Sequence, residues 1–408
     1  MTNTHLGPAV EFCEVCGSKS LYQVLDLGFH PLCDDLIPVN EKSECLRYPI
    51  EIMYCRYCNT AHQKYQVKKS TLFPQNYHYR SRFTADVLSG MASLVESVEN
   101  VLGSLEGKTV LDIGCNDGSL LDIFSEKGVA TIGVEPTGAY ADAQGRGHLI
   151  INDFFSESTA RKILETHPRI DIVTFTNVFA HIENLPSLLK ALSILMNEKT
   201  ILVAENHYLG AVLGRNQFDT FYHEHPRTYS LNSFLHIART LGGEVFAVEF
   251  PRRYGGNIRV VIGKQGRVVP ECAALIQATL EREAGYFDNF NEMRLFIDSW
   301  KEEKRALIKI LVKAHGKLQA KAFPGRAAIL IALLELSDNE IEAVYEKPGS
   351  LKIGHYVPGT RIPIRSDDEL LPRLQGIKML LNLAWHIPTE IETYLRQKGF
   401  SGELTHIV

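Results

Sequence analysis

Two pairs of cysteines near the start of the chain most strongly limit how it can fold. Cys13 and Cys16 form one Cys-x-x-Cys turn, and Cys55 and Cys58 form a second, with 38 residues between the pairs. Each turn can direct two thiolates at one point, and two such turns complete a tetrahedral sulfur site. Residues 1–12 show no basic stretch followed by an apolar core, so we expect no secretion signal, and a disulfide framework is not favoured. The spacing predicts a structural zinc ion held by these four thiolates.

Length and charge exclude several classes of protein. The chain has 408 residues, which suits two or three domains, and its net charge of −5 argues against a strongly basic nucleic-acid binder. The longest clean apolar run near the end, residues 327–334, is far shorter than the roughly 20 residues that a membrane span needs. We therefore expect a soluble, cytoplasmic protein that interacts with neither nucleic acid nor membrane.

A ligand-binding loop is predicted in the middle of the chain. Residues 109–121 pass from a short apolar strand through a glycine-bearing turn into the start of a helix. Glycines at such a turn let the backbone approach a ligand closely. A glycine turn used only for packing is the alternative. The candidate cofactor-binding residues of this segment are Asp112, Gly114, Asn116, Asp117 and Gly118.

Further strands follow at the spacing of a doubly wound parallel sheet. The second strand, residues 130–134, ends in Glu135, which suits a ribose diol. Asp153 and Phe154 close a third strand and offer a carboxylate and a ring for an adenine. Strands are also predicted over residues 170–175 and 200–204. Helical spacing of apolar residues predicts a helix from Ala85 to Leu102.

The glycine turn favours one cofactor over another. Asn116 stands where a dinucleotide-binding fingerprint has its second glycine, so a pyrophosphate could approach less closely. The run from Val110 to Gly118 instead resembles motif I of class I S-adenosylmethionine methyltransferases. Glu135, Asp153 with Phe154, and Asn177 follow in the order expected of that class.

Two histidine-bearing loops are the candidates for catalysis. Asn177-Val-Phe-Ala-His181 follows the fourth strand, where ligands bind in such sheets. Tyr222-His-Glu224-His225 follows the fifth strand, and it lacks the spacing of a zinc protease motif. Histidine titrates near neutral pH and suits a general base, which methyl transfer to carbon beside a ketone requires.

Taken together, these motifs resemble the sugar C-methyltransferase family of deoxysugar biosynthesis. The ordered features are the two cysteine pairs, Tyr77-His-Tyr79-Arg-Ser81, the glycine turn, both histidine loops, and a tail with Lys352-Ile-Gly and Pro358-Gly-Thr-Arg-Ile-Pro-Ile. The resemblance covers nearly the whole chain. It implies an α/β protein with a zinc-binding domain over residues 1–70, a class I methyltransferase domain over 71–265, and a C-terminal Rossmann-like domain over 266–408.

The resemblance also implies a reaction and its residues. It implies methylation at C-3 of a nucleotide-linked 4-keto-6-deoxy sugar, with His225 abstracting the C-3 proton. Tyr222 and Glu224 would position the base and the sugar, and His181 would assist at the sugar or the enolate. Either Tyr77 or Tyr79 would close the pocket. Further substrate contacts are expected from Tyr254, Asn257, Arg259 and Lys352.

Two departures from the family pattern bear on the substrate. Tyr254-Gly-Gly-Asn257-Ile-Arg259 replaces a run that often begins with histidine and carries serine in place of Asn257. Arg326 follows Gly325 where the family usually has a lysine nearby. Thymidine and guanosine diphosphate sugars both stay open as substrates.

Two other functions agree less well with the sequence. A zinc-bearing methyltransferase of RNA or protein would need a basic zinc domain, but the first 60 residues carry four basic and eight acidic side chains. A non-enzymatic binding protein would show a damaged cofactor motif, which is not seen. We expect a long linker helix from Asn289 to Ala320, a core role for Trp385, and a monomer.

Overall fold

The computed structural model describes residues 5–73, 80–83, 85–264 and 270–408, and it shows an α/β protein. The chain divides into two compact units. The first comprises residues 1–24, 52–215 and 224–289, and the second comprises residues 25–51, 216–223 and 290–408.

Strands and helices are numbered in chain order. The strands are β1 (Leu6–Ala9), β2 (Leu21–Pro31), β3 (Arg47–Cys55), β4 (Thr60–Gln63), β5 (Tyr65–Val67), β6 (Thr109–Ile113), β7 (Ala130–Val134), β8 (Leu149–Ile151), β9 (Ile172–Thr176), β10 (Ile201–His207), β11 (Arg227–Thr228), β12 (Glu244–Glu249), β13 (Asn257–Gly263), β14 (Leu318–Lys321), β15 (Ile341–Glu346), β16 (Ile364–Ser366), β17 (Met379–Asn382) and β18 (Glu403–His406). The helices are α1 (Lys69–Leu72), α2 (Ala85–Leu102), α3 (Ser119–Glu126), α4 (Tyr140–Gly145), α5 (Glu157–Thr166), α6 (Leu185–Leu195), α7 (Leu209–Gly214), α8 (Leu231–Thr240), α9 (Pro270–Glu283), α10 (Tyr286–His315), α11 (Ala327–Leu333), α12 (Asp367–Leu370) and α13 (Pro388–Gln397).

A seven-stranded sheet forms the centre of the first unit, in the order β12-β13-β10-β9-β6-β7-β8. The five strands from β6 to β10 are parallel, which confirms the predicted doubly wound sheet. β13 runs antiparallel to both β10 and β12, a feature that the sequence pattern did not predict. The strand order reverses between β6 and β9, where doubly wound sheets bind their ligands.

The core of this unit follows from the apolar pattern of the sequence. Helix α2 has the predicted bounds, and it buries Leu94 and Val98 in one cluster with Val110 of β6 and Phe124 of α3. Strand β9 is buried over four of its five residues, as expected for a parallel strand covered on both faces.

A smaller sheet in the order β11-β4-β3-β2 adjoins the cysteine turns. Ile52–Cys55 of β3 pair with β4, and β4 pairs in turn with β11 through His62 and Arg227. All four residues of β4 are buried. This pairing links the second cysteine turn to the segment that directly follows His225.

The second unit contains a parallel five-stranded sheet in the order β16-β15-β14-β17-β18, as expected of a Rossmann-like domain. Tyr345, Leu380 and Leu395 belong to its core. The apolar run at 327–334 forms the buried helix α11. Among the described residues, no helix combines the length and the apolar character needed to cross a bilayer.

One predicted helix boundary was wrong. The sequence pattern predicted a helix to Ala320, but α10 ends at His315. Gly316 adopts a φ of +77°, which ends the helix, and strand β14 begins two residues later. The predicted strand at residues 341–345 is confirmed as β15.

Candidate active site and zinc centre

The four predicted cysteines come together in the first unit. The Sγ atoms of Cys13 and Cys58 lie 3.4 Å apart, those of Cys16 and Cys55 lie 3.6 Å apart, and all four lie within 4.8 Å of one another. Four thiolates about 2.3 Å from a zinc ion stand roughly 3.8 Å apart in a tetrahedron. The cluster therefore fits a closed, structural zinc site, and it offers no open position for chemistry.

The glycine loop between β6 and α3 is shaped for close approach. Gly114, Asn116 and Gly118 have φ values of +73°, +50° and +78°. A Cβ atom at Gly114 would lie 2.6 Å from a methyl group of Val178, and one at Gly118 would lie 2.9 Å from Ala143. The loop is thus packed tightly against the segment that begins at Asn177, and neither position has room for a side chain.

Glu135 is buried at the carboxyl end of β7, as predicted. One of its carboxylate oxygens accepts a hydrogen bond from the backbone of Asn116, and the other accepts two from Thr137. These bonds fix the carboxylate beside the glycine loop. The oxygen that accepts from Asn116 can accept one further hydrogen bond, so a ribose hydroxyl remains a suitable partner.

The other polar side chains of the loop bind protein groups. Asn116 Oδ1 accepts from the backbone of Ser81, and Asp117 accepts from the backbone of Arg82. Asp112 is buried and accepts a hydrogen bond from Thr174. Burial raises the pKa of Asp112 to about 7, although the hydrogen bond from Thr174 acts in the opposite direction. In this structure, these three residues position the loop and the segment at 80–83.

The last two predicted cofactor residues lie at the end of β8. Asp153 is exposed and accepts a hydrogen bond from the backbone of Phe154. The ammonium group of Lys69 stands 4.2 Å from the centre of the Phe154 ring.

Three histidines form a cluster in the first unit. The ring centre of His225 lies 4.9 Å from that of His181 and 5.4 Å from that of His207. His181 and His225 were predicted, and they come from separate loops. His207 was missed, although it ends strand β10 in the polar run Glu205-Asn206-His207, after four apolar residues. A polar run at the end of a buried strand is the signal that could have found it.

Hydrogen bonding defines the state of His181. Its Nδ1 lies 2.7 Å from the backbone carbonyl of Glu224. A carbonyl only accepts, so Nδ1 carries the proton and donates it. Desolvation lowers the pKa of His181 to about 4, whereas the carbonyls of Glu224 and Asn177 act to raise it. The ring is therefore neutral at pH 7, and its Nε2 is an acceptor.

Tyr222 and His223 belong to the second unit. Tyr222 is partly exposed. His223 is buried, and its Nε2 donates to the backbone carbonyl of Tyr48, 3.1 Å away. Desolvation lowers the pKa of His223 to about 4, despite the opposing hydrogen bond to Tyr48. Within the motif at residues 222–225, His223 therefore has a structural role.

Family models match nearly the whole chain in three consecutive pieces. A zinc binding domain matches residues 13–73, a methyltransferase domain matches residues 78–248, and a C-methyltransferase C-terminal domain matches residues 252–403. C-methyltransferase NovU from Streptomyces niveus is 29% identical over 388 residues, which cover 94% of this chain and 91% of NovU. The chain therefore carries a zinc binding domain, a methyltransferase domain and a C-methyltransferase C-terminal domain in that order.

Several further proteins are similar to a shorter part of the chain. A ubiquinone biosynthesis O-methyltransferase from Rhodopseudomonas palustris is 29% identical over 119 residues, which cover 28% of this chain and 44% of the relative. Magnesium protoporphyrin IX methyltransferase from Synechocystis, solved with bound S-adenosylhomocysteine, is 15% identical with a TM-score of 0.35. The match covers 44% of this chain and 84% of the Synechocystis protein. A methyltransferase from Archaeoglobus fulgidus is 16% identical with a TM-score of 0.33. The match covers 48% of this chain and 99% of the Archaeoglobus protein.

The protein is an S-adenosylmethionine-dependent methyltransferase with a domain that binds structural zinc. The residues present fit both groups. The glycine loop is packed too tightly for a Cβ, and Glu135 stands buried at the end of the next strand. When bound, S-adenosylmethionine supplies an electrophilic methyl group. Among the described residues, Cys13, Cys16, Cys55 and Cys58 are the one cluster found that suits a metal.

The predicted substrate contacts have different placements. Tyr77 and Tyr79 lie outside the described residues, as does the side chain of Tyr254. Asn257 is buried, and its Nδ2 donates to Glu205 at 2.9 Å and to Asn177 at 3.3 Å. Lys352, in the second unit, donates to the backbone carbonyl of Phe323 at 2.9 Å.

Arg259 differs most from its predicted role as a substrate contact. It is only 1% exposed, and its guanidinium binds Glu205 and Glu249. It also donates to the hydroxyl of Ser97 on helix α2 at 2.6 Å. A fully enclosed guanidinium with these partners is not free to bind a sugar. Arg259 instead ties α2 to strands β10 and β13.

Arg326, in the second unit, is similarly engaged. Its guanidinium makes two hydrogen bonds to Asp219, at 2.7 and 2.8 Å, and Trp385 donates to the same carboxylate at 3.0 Å. This residue therefore holds the segment that precedes Tyr222. Trp385, predicted to lie in the core, is only partly buried, and its indole N–H donates to Asp219.

We predict that Cys13→Ser removes zinc from the protein. Three thiolates and a hydroxyl bind zinc less tightly than four thiolates, and binding of the ion contributes directly to folding free energy. Metal analysis of the purified variant should give well under one zinc per chain, with a lower unfolding temperature. Cys272→Ser, outside the cluster, is the control. Full zinc content in Cys13→Ser would refute the site.

We predict that Gly114→Ala weakens binding of S-adenosylhomocysteine. The new methyl group would collide with Val178 and require a positive φ that alanine adopts with a cost of roughly 1 kcal/mol or more. Calorimetric titration should show affinity reduced by about tenfold, which corresponds to about 1.4 kcal/mol. Gly145→Ala is the control, because a Cβ added there would meet no atom within 4 Å. Equal affinities for both variants would contradict the prediction.

We predict that His223 makes stability depend on pH below neutrality. Its folded pKa is about 4, lower than about 6.5 for an unfolded histidine, so the unfolded chain gains the proton first as pH falls. The stabilisation is complete above pH 6.5 and declines toward pH 4. Asp112, whose pKa is raised, acts in the opposite direction, so the comparison is with His223→Gln.

Urea unfolding of both proteins at pH 7.5 and pH 4.5 measures this contribution. Between these values, the wild type should lose about 2 kcal/mol relative to His223→Gln. Parallel pH dependences of the two proteins would show that His223 is not held neutral.

Proposed function

We propose that this protein is a C-methyltransferase that transfers a methyl group from S-adenosylmethionine to C-3 of a nucleotide-linked 4-keto-6-deoxy sugar. The observation that carries the proposal is the contact of His225 with His181 and His207, two rings at or just beyond the carboxyl ends of β9 and β10. The similarity to C-methyltransferase NovU supports transfer to carbon. We also propose that it acts as a monomer in the cytoplasm.

His225 is the proposed base. Carbon becomes a nucleophile only when a proton beside the ketone is removed, and an enclosed imidazole is suited to that task. His225 is buried, and its ring lies beside those of His181 and His207. The carbon–carbon pair of the enolate forms the new bond to the methyl group, and a lone pair on the enolate oxygen restores the ketone. The bond between that methyl group and sulfur breaks, and its electron pair stays on sulfur.

His181 is assigned a narrower role than the sequence suggested. With its proton on Nδ1, its Nε2 cannot donate to an enolate oxygen, but it can accept from a sugar hydroxyl. His181 therefore assists at the sugar. A different hydrogen-bond donor must therefore stabilise the enolate oxygen. The candidates are the hydroxyl groups of Tyr222, Tyr77 and Tyr79.

Either a thymidine or a guanosine diphosphate sugar fits this proposal. Asn257, close to Asn177 and Glu205, and Lys352 are retained as proposed substrate contacts, and the side chain of Tyr254 is a third. Arg259 is not retained as a proposed substrate contact, because its guanidinium is fully enclosed.

The proposal is tested by mass spectrometry of candidate sugars. Thymidine and guanosine 4-keto-6-deoxy sugars are incubated with the protein and S-adenosylmethionine in deuterated buffer. A methyl gain on one sugar supports the proposal and identifies the nucleotide. Deuterium at C-3 without a methyl gain would show an active base acting on an incomplete substrate. Neither change in either series would contradict the proposal and direct attention to RNA or protein acceptors.

We predict that His225→Ala binds S-adenosylhomocysteine as the wild type does but loses turnover and deuterium exchange at C-3. General bases contribute roughly 10²- to 10⁴-fold, so turnover should fall by that factor. His207→Asn should have a smaller effect, because it removes a neighbouring ring and keeps the base. His167→Ala, outside the cluster, is the control. Exchange that persists in His225→Ala would exclude this residue as the base.

A further inference from the structure

The segment that follows His225 carries a buried cation that the proposed chemistry does not use. Arg227 is 0% exposed, and it lies two residues after His225 on strand β11. Its guanidinium forms an ion pair with Glu14, which stands between the zinc ligands Cys13 and Cys16. A charge this deep in the protein needs its partner, because an unpaired buried ion is strongly destabilising.

The same guanidinium also binds the loop that carries the other histidine. Arg227 Nη1 donates to the backbone carbonyl of Glu183 at 3.4 Å, two residues after His181. Its Nε donates to the hydroxyl of Tyr229 at 3.0 Å. A planar guanidinium can hold several acceptors in fixed directions, which an ammonium group cannot do. Arg227 thus connects the segment after His225, the loop after His181 and the first cysteine turn.

Further contacts hold the Glu14 carboxylate beside the cysteine cluster. Gln66 donates to the same carboxylate oxygen at 2.8 Å. The buried ring of His62 lies between Glu14 and the cluster, with its Nε2 3.3 Å from Cys13 Sγ. Strand pairing reinforces the connection, because His62 is the register partner of Arg227, and Gln63 donates its backbone N–H to Pro226.

Buried ion pairs of this kind contribute more to a specific arrangement of the packed segments than to the free energy of folding. They seldom add much net stability, because removing two ions from water offsets most of their attraction. They do discriminate among arrangements, since any other packing would leave a charge without its partner. Arg259, with its carboxylate partners Glu205 and Glu249, is a second example in the first unit. The pair of Arg227 and Glu14 is therefore suited to fixing geometry.

We infer that Arg227 is a positioning residue for the proposed reaction: paired with Glu14, it holds the His181 and His225 loops at fixed distance from the zinc cluster. Zinc then contributes to turnover through geometry, although it never contacts the substrate. The closed cluster provides a rigid anchor, Glu14 extends from it, and Arg227 transmits the position to both loops. This inference rests on the proposed role of the two histidines.

The test uses the full-length protein with both charges removed together. Arg227→Gln alone would leave the Glu14 carboxylate without its cation, so the paired variant Glu14→Gln/Arg227→Gln avoids a folding defect from an unmatched charge. Arg227→Lys keeps the positive charge for the ion pair but loses the planar guanidinium, whose donors point in fixed directions. The control is Arg305→Gln/Glu335→Gln, which removes an exposed 2.8 Å ion pair from the second unit.

The first readout needs no substrate. Histidine labelled with nitrogen-15 reports the Nδ1 proton that His181 donates to Glu224, a resonance assigned by its loss in His181→Ala. In the paired variant, this signal should shift or disappear while zinc stays at one per chain. The control pair should leave it unchanged. This readout separates failure of the positioning role from failure of the proposed sugar chemistry.

The second readout is kinetic. In the paired variant, turnover and C-3 exchange should fall by roughly 10- to 100-fold, as expected when reacting groups move by about 1 Å, with a smaller change in KM and unchanged affinity for S-adenosylhomocysteine. Arg227→Lys should fall between the wild type and the paired variant. An unchanged His181 signal with full zinc content would overturn the inference. Loss of zinc from the paired variant would also overturn it, because the pair would then serve the zinc site alone.

Discussion

The parallel direction of four neighbouring strands is the constraint on which the site depends. β7, β6, β9 and β10 lie side by side and point the same way, so their carboxyl ends share one edge of the sheet. Gly114, Glu135, Asn177 and His207 all lie at that edge, although the chain separates the first from the last by more than 90 residues. Each loop contributes one part of the chemistry, and the sheet supplies their common position.

The local parts of this arrangement were predictable because they depend on short stretches of chain. A Cys-x-x-Cys turn, a glycine turn and an amphipathic helix are each determined within about 20 residues. The zinc cluster, the bounds of helix α2 and the fold class were therefore predicted correctly. The loops of His181 and His225 were predicted from their positions after strands, and the structure brings their rings together.

The remaining features depend on contacts between distant residues, which a single sequence does not reveal. Arg227 and Glu14 are separated by 213 positions, and the Cys-x-x-Cys turn that contains Glu14 does not indicate the partner of its carboxylate. The motif around Arg259 predicted a substrate contact, but the pairing of this residue with Glu205 depends on the antiparallel register of β10 and β13. His207 was missed because strand β10 extends three residues beyond the apolar pattern that predicted it.

The division into compact units has a consequence for how this protein could be recombined. The polypeptide passes between the two units five times, at residues 24/25, 51/52, 215/216, 223/224 and 289/290. One crossing falls inside the Tyr222–His225 motif itself. A graft of the C-terminal third at residue 266 would leave residues 25–51 and 216–223 behind, although both segments belong to the unit being exchanged. Replacement of the tail alone, by that of a relative, would therefore divide the second unit, and the two units are expected to diverge together as one inherited piece.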